Sequence, residues 1–288
     1  MTKEKILVKE IRKAHNIGLC FGVTCALQAV HEYAKDHHVI VTWGDIVHNS
    51  LVMDGLKQMG VQVVTAIDDI KSDHIIIPAH GVSPNIIQAF NQRHINIIDT
   101  TCPFVRRAQK TAYAYGKKGF FTIVYGDKNH AEVKGILGWS GEHSLATKDI
   151  EELKNIPNQP LKIGLLSQTT QKPGDFIVFC QKAMELAYIK DSRIHITDTI
   201  CHDIRKRQQA ASELAKCADM VVIIGSPNSA NTKNLLQLCS SITHAIQVEK
   251  AADLSVDMVT GYQKIGVAAG ASTDDAAING VYKKLKSF

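Results

Sequence analysis

The chain has 288 residues, 45% hydrophobic and 21% charged, which supplies a sizeable core and excludes a disordered protein. Its net charge of +5 comes from 33 basic and 28 acidic residues without a long Lys/Arg run, which argues against a nucleic-acid surface but leaves room for a small anionic ligand. No apolar stretch reaches the roughly 20 residues that span a bilayer, and Met1-Thr2-Lys3-Glu4-Lys5 lacks the apolar core of a signal peptide, so a cytoplasmic protein without a membrane partner is expected.

In chain order, short, nearly continuous and β-branched runs predict strands at Val39–Val41, Ile75–Ile77, Ile95–Ile98, Phe121–Val124, Ile163–Leu166, Met220–Ile224 and Ile265–Ala268. Such runs mark strands buried on both faces of a parallel sheet. Between them, 3.6-residue periodicity predicts helices over Val23–Ala34, Phe104–Tyr115, Phe176–Ala187 and Arg205–Lys216. Ser83-Pro84 offers an N-cap followed by proline, and Asp274 or Thr273 caps the last helix. The alternation argues for α/β units with right-handed crossovers.

Seven cysteines in a reducing compartment read as free, catalytic or metal-bound thiols. Cys25, Cys180, Cys217 and Cys239 fall within helical patterns, where core packing is expected. Cys20, Cys102 and Cys201 differ: each ends an apolar run, sits among Gly, Thr or Pro, and precedes a helix. Similar intervals separate them, each long enough for three or four strand–helix pairs, which predicts three similar α/β modules with one cysteine at each junction. Ligands of open parallel sheets gather at strand carboxyl ends, so three modules turned inward would bring the thiols together. Three thiolates suit a 4Fe–4S cluster with one open iron, or a catalytic zinc with one open position.

His48, His80 and His130 stand at equivalent strand ends and can donate to phosphate oxygens. Glu132, two residues after His130, is placed for proton donation, or for a solvated position in the first turn of a helix. Gly225–Thr232, Gly270–Thr273 and Ser167–Thr170 follow strands and open onto helices, forming hydroxyl- and amide-rich anion cradles. Neither a Walker A sequence nor a dinucleotide-binding glycine fingerprint occurs.

The ordered segments Gly18-Leu19-Cys20-Phe21-Gly22, Val47-His48-Asn49, Ala79-His80-Gly81, Thr101-Cys102-Pro103, His130-Ala131-Glu132, Gln168-Thr169-Thr170, Cys201, Asn228-Ser229-Ala230-Asn231 and Gly270-Ala271-Ser272 resemble, over nearly the whole chain, the IspH/LytB family of 4-hydroxy-3-methylbut-2-enyl diphosphate reductases. The resemblance implies an α/β fold of three parallel-sheet modules (21–102, 103–197, and 198–288 with 1–20) in a pseudo-threefold trefoil around one 4Fe–4S cluster per chain. It implies Cys20, Cys102 and Cys201 as cluster ligands, and His48, His80, His130, Thr169, Ser229, Asn231 and Ser272 as substrate contacts. Glu132, with His130 and Thr169, would serve proton delivery. Ferredoxin or flavodoxin would give the electrons to a monomer or homodimer that makes isopentenyl and dimethylallyl diphosphate by the non-mevalonate route.

The chain departs from the family pattern at four places. Ala230 replaces a second serine. Asp203-Ile204, preceded by His202, replaces Ala-Thr after the third cysteine, and Asp203 is expected to repel an anion there. Gln109 stands where His is frequent, and Asp274 where Pro is. These changes keep two alternatives open: a related iron–sulfur enzyme for another small substrate, and a non-catalytic iron–sulfur sensor.

Overall fold

The computed structural model describes residues 8–154, 156 and 162–288. After β1 (Glu10–Lys13) and α1 (Phe21–Asp36) come β2 (Ile40–Trp43), α2 (Ser50–Gln58), β3 (Val61–Val64), β4 (His74–Ile77), α3 (Pro84–Gln92) and β5 (Asn96–Asp99). α4 (Pro103–Lys117) leads into β6 (Phe121–Tyr125), α5 (Ala131–Ser140), β7 (Ser144–Thr147), α6 (Glu151–Lys154), β8 (Lys162–Ser167), α7 (Pro173–Ile189) and β9 (Arg193–Thr197). α8 (His202–Cys217) opens the last stretch, with β10 (Met220–Ile224), α9 (Ala230–Ser240), β11 (His244–Val248), α10 (Val256–Val259), β12 (Lys264–Ala269) and α11 (Asp275–Lys286).

These strands form three all-parallel sheets of one design, ordered β3-β2-β4-β5, β7-β6-β8-β9 and β11-β10-β12-β1. The third takes its edge strand from the N-terminus, so the repeat is circularly permuted along the chain. All seven expected strands are present. The five unforeseen ones, β1, β3, β7, β9 and β11, are edge strands. They are partly exposed and carry polar residues such as Arg12, Gln62, Ser144, His195 and Gln247, so they never present a continuous apolar run.

The central strands are covered on both faces. Ile123, Tyr125 and Leu165 pack on Phe176, Phe179 and Ala183 of α7, while Val124 and Leu166 pack on Ala108, Ala112, Val133 and Ile136 of α4 and α5. In the third sheet Val222, Ile224 and Val267 meet Ile278, Val281 and Leu285 of α11, and Val221 and Ile223 meet Ala211, Leu214, Leu235 and Cys239. Burial on both sides is what makes these segments uniformly apolar.

Asp274 caps α11, its carboxylate accepting from the Ala277 N–H at 2.8 Å, whereas the Thr273 hydroxyl donates to the Ile224 carbonyl. Ser83 occupies the N-cap position before Pro84 but makes no side-chain cap bond. Cys180 and Cys239 are buried and Cys25 is half-buried. Cys217 is exposed, contrary to the expected core position, because it is the last residue of α8.

The described chain divides into two compact units. One holds residues through Val23, Val47–Leu56 and His202–Phe288, with the third sheet; the other holds Thr24–Ile46 and Lys57–Cys201, with the first and second sheets.

Candidate active site

Each of the three loop cysteines follows the edge strand of a sheet and is tied to the loop after the neighbouring strand. The Cys20 N–H donates to the Ala271 carbonyl beyond β12, that of Cys102 to Ala79 beyond β4, and that of Cys201 to Thr169 beyond β8, each at 2.9 Å. Each then stands directly before a helix of 15 or 16 residues. Three half-buried thiols outside any disulfide therefore repeat one local geometry, each at the positive end of a long helix. Burial pushes the Cys20 thiol up, opposed by the Val23 N–H, which donates to Sγ at 3.5 Å, and by the Arg207 charge. Among the described residues no three His, Cys, Asp or Glu side chains are gathered about one ion-sized point. The donor set fits a cationic iron–sulfide core, whose separate corners would each take one thiolate.

In the unit of the first two sheets, Glu132 opens α5 at the carboxyl side of β6, and Thr169 follows β8. Thr169 donates its N–H to Glu132 Oε1 at 2.7 Å and its hydroxyl to Oε2 at 2.9 Å, while its carbonyl holds the Cys201 N–H. Glu132 is 3% exposed, and burial raises its carboxyl to about 7 even though both Thr169 bonds favour the anion. The solvated first-turn alternative for this residue is thereby removed. His130 Nδ1 accepts from the Glu132 N–H at 3.1 Å, so in the neutral ring the proton sits on Nε2. His80 is wired the other way. Its Nδ1 lies 3.0 Å from the Gly81 carbonyl and must donate to it, so Nε2 can donate only in the imidazolium.

In the other unit, β10 and β12 are followed directly by Gly225 and Gly270, and a Cβ at either would fall within 2.7 Å of Thr232 Oγ1. The two loops are thereby pressed together at the point where the strand order reverses, a ligand position in open α/β sheets. Ser229 caps α9 by accepting from the Thr232 N–H at 3.4 Å, which leaves its own O–H to donate. Asn231 is 3% exposed, and both atoms of its amide lack partners. A buried amide with no partner is costly, which marks it as a ligand-facing group. Asn49, next to His48, donates to the Ser272 carbonyl at 2.7 Å and accepts from the Leu51 and Val52 N–H groups. This clamp brings the His48 loop to Ser272. The sequence reading cited Asn49 within a motif and gave it no role.

Comparison with known proteins adds the identity of this arrangement. The sequence profile described as LytB protein matches residues 11–286. The chain belongs to the LytB protein family. A 4-hydroxy-3-methylbut-2-enyl diphosphate reductase of Dehalococcoides mccartyi (strain CBDB1) is 45% identical over 96% of this chain and 97% of its own length. The reductase of Caldanaerobacter subterraneus subsp. tengcongensis is 36% identical, covering 97% of each chain. Among solved structures, the E-1-hydroxy-2-methyl-but-2-enyl-4-diphosphate reductase of Plasmodium falciparum shares the fold with a TM-score of 0.90 at 24% identity, over 96% of this chain and 87% of that one.

Within this LytB-family chain the unusual residues have structural work. Gln109 is buried, and its Nε2 donates to the Val82 carbonyl at 3.4 Å, alongside Trp139 Nε1 at 2.9 Å, so it holds the turn that carries His80. The repulsion expected of Asp203 is corrected by its partners. Oδ2 accepts from Arg207 Nε at 2.7 Å and Oδ1 from Asn16 Nδ2 at 3.1 Å, while Arg207, 3% exposed, also donates to the Gly18 carbonyl at 2.6 Å. The carboxylate is matched by a buried guanidinium and ties α8 to the Cys20 loop. Asp203→Ala should cost about 1.5–3 kcal/mol in urea unfolding of the metal-free chain, because Arg207 loses its charged partner inside the protein.

Proposed function

We propose that this chain reductively dehydrates 4-hydroxy-3-methylbut-2-enyl diphosphate to isopentenyl and dimethylallyl diphosphate. The observation that carries this reading is the Glu132–Thr169–Cys201 chain, which joins a buried carboxyl that titrates near 7 to a cysteine loop through one residue. The reaction consumes two electrons and two protons: one proton leaves with the hydroxyl as water, the other ends on carbon. Hydroxide is a poor leaving group, and a neutral carboxylic acid at hydrogen-bond distance removes that difficulty. Thr169 holds Glu132 in place and keeps its acid within reach of the cysteine loop.

Cys20, Cys102 and Cys201 would hold one 4Fe–4S cluster per chain. When bound, the cluster supplies single electrons and an iron corner open to an oxygen ligand. His48, His80, His130, Ser229, Asn231 and Ser272 would hold the diphosphate by hydroxyl, amide and imidazole donors. His80 contributes a positive charge whenever it donates from Nε2. We read the chain as three modules, 21–102, 103–197, and 198–288 with 1–20, and as a cytoplasmic protein served by ferredoxin or flavodoxin. No helix among the described residues is long and apolar enough to cross a membrane.

Asn231→Leu tests the cradle. The isosteric apolar side chain removes an unpartnered amide, so the ligand-free chain should gain about 1 kcal/mol while KM for the diphosphate rises about 10- to 100-fold. The deciding experiment is anaerobic turnover with the hydroxylated diphosphate and reduced flavodoxin, with products separated by chromatography. Formation of both five-carbon diphosphates supports the proposal. A reducible cluster that yields neither overturns it in favour of a related enzyme for another anion, for which Ala230 supplies the motive.

A further inference from the structure

The segment from residue 100 to residue 126 contains Arg106, Arg107, Lys110, Lys117 and Lys118 and not one Asp or Glu. In a chain with a small net charge, this is a strong local imbalance. The fold arranges much of it along a groove of about 600 Å³ between α4 and β9. Pro103, Arg107, Lys110, Ala114 and Lys118 recur at helical spacing and line one wall, with Arg106 beside them; Phe120, His195 and Thr197 line the other. Arg106, Arg107, Lys110 and Lys118 are all exposed. Tyr115 fixes the two walls together, its hydroxyl 2.7 Å from Thr197 Oγ1 and 3.1 Å from the His195 carbonyl. The two acids at this face are engaged. Asp99 pairs with Arg106 at 2.8 Å, and Asp198 accepts from the Ile200 N–H while its carbonyl takes the Arg107 guanidinium.

The groove has a definite origin. α4 starts immediately after Cys102, its N-cap, and β9 runs towards Cys201. Both walls therefore lead away from loops that carry proposed cluster ligands. From Arg106 to Lys118 the cations extend over about 18 Å of helix, too long for one small anion, and both arginines already have partners. The aromatic rings of the groove, Tyr115, Phe120 and His195, are packed on one another with centroids 5.3–6.2 Å apart, and Tyr115 is buried and hydrogen-bonded, so the rings are committed to each other and not set out as a platform for base stacking. A second copy of this chain would bring like charge.

We propose that this groove is the docking surface for an acidic one-electron carrier protein, which delivers electrons beside Cys102 and Cys201. This rests on the reading of the chain as an iron–sulfur reductase. Each encounter oxidises the carrier by one electron, and two encounters with two protons complete one turnover. A modest, polar and salt-sensitive contact suits a partner that must leave after each transfer.

The test compares wild type with the double variant Arg107→Glu/Lys110→Glu, neither residue being part of the proposed catalytic machinery. Oxidised flavodoxin binding is followed by calorimetry at low salt and at about 0.3 M salt, where the Debye length falls below about 8 Å. Turnover is driven in parallel by reduced flavodoxin and by reduced methyl viologen, a small donor that needs no docking. The variant should bind flavodoxin at least about tenfold more weakly and lose most of the salt dependence, with viologen-driven turnover unchanged. Wild-type-like flavodoxin binding by the variant overturns the proposal, as does charge-dependent binding of a polyuridine oligonucleotide here with the carrier unaffected. Flavodoxin bound at this face of a wild-type chain that turns nothing over with viologen supports the docking surface and sinks the reductase reading alone.

Discussion

Glu132→Gln should lower kcat by about 10²- to 10⁴-fold, the range general-acid catalysis contributes, while leaving iron content and substrate affinity near wild type. Gln keeps the shape: its carbonyl oxygen can accept the Thr169 N–H, and its NH2 can donate to the Thr169 hydroxyl, which turns from donor to acceptor, so the lesion is the missing proton and not the lost contact. The pH dependence separates the two further. Because burial raises this carboxyl to about 7, the acid form declines as pH rises through neutrality, and wild-type kcat/KM should fall over that interval. The residual rate of the variant should lack that limb. Stability follows the same sign. A carboxyl whose folded value exceeds its unfolded one, 4.5, contributes fully below the unfolded value, and that contribution is lost as pH rises through the folded value. In urea unfolding of the metal-free chain, the variant should therefore gain on wild type between pH 5 and pH 8. A variant that loses its cluster, or keeps the wild-type pH profile, would remove Glu132 from the role of acid.

The central sheet strands were legible because burial on both faces leaves them uniformly apolar, as in Met220–Ile224. Of the edge strands only β5 was, through its Ile97-Ile98 pair; the others were not, since strands such as β1 and β9 expose one side and carry Arg12, Arg193 and His195. Local context, the end of an apolar run among Gly, Thr or Pro, separated Cys20, Cys102 and Cys201 from the helical cysteines, but it did not reveal the shared backbone clamp, which is a long-range hydrogen bond in every case. Glu132 shows the limit most clearly. A glutamate in a first helical turn is solvated by default, and only the packing of the β8 loop over it creates the raised acid. The Asp203 expectation failed for a related reason: Arg207, one helical turn on, matches its charge, and Asn16 comes from far along the chain. The basic face of α4 was missed because its cations are spread at helical spacing and form no run.

Removing any one of Cys20, Cys102 or Cys201 should be the largest single lesion in the chain. Cys102→Ala leaves two thiolates for a core that needs three, so anaerobically purified protein should fall from about four iron atoms per chain to below about one and lose its brown absorbance. The apo fold should persist, because the Cys102 and Cys201 backbone clamps to Ala79 and Thr169 do not involve sulfur. Cys25→Ala, Cys180→Ala, Cys217→Ala and Cys239→Ala supply the contrast. Cys180 and Cys239 are buried with thiols that burial raises to about 11, a state far from thiolate at neutral pH. Their replacement should cost about 1 kcal/mol of packing and leave iron untouched, and the exposed Cys217 should cost less. Colourless wild-type protein carrying one zinc would overturn the cluster assignment, since three thiolates also satisfy zinc. Iron lost in a helical-cysteine variant would overturn the choice of ligands, because those thiols lie off the three strand-end loops that carry Cys20, Cys102 and Cys201.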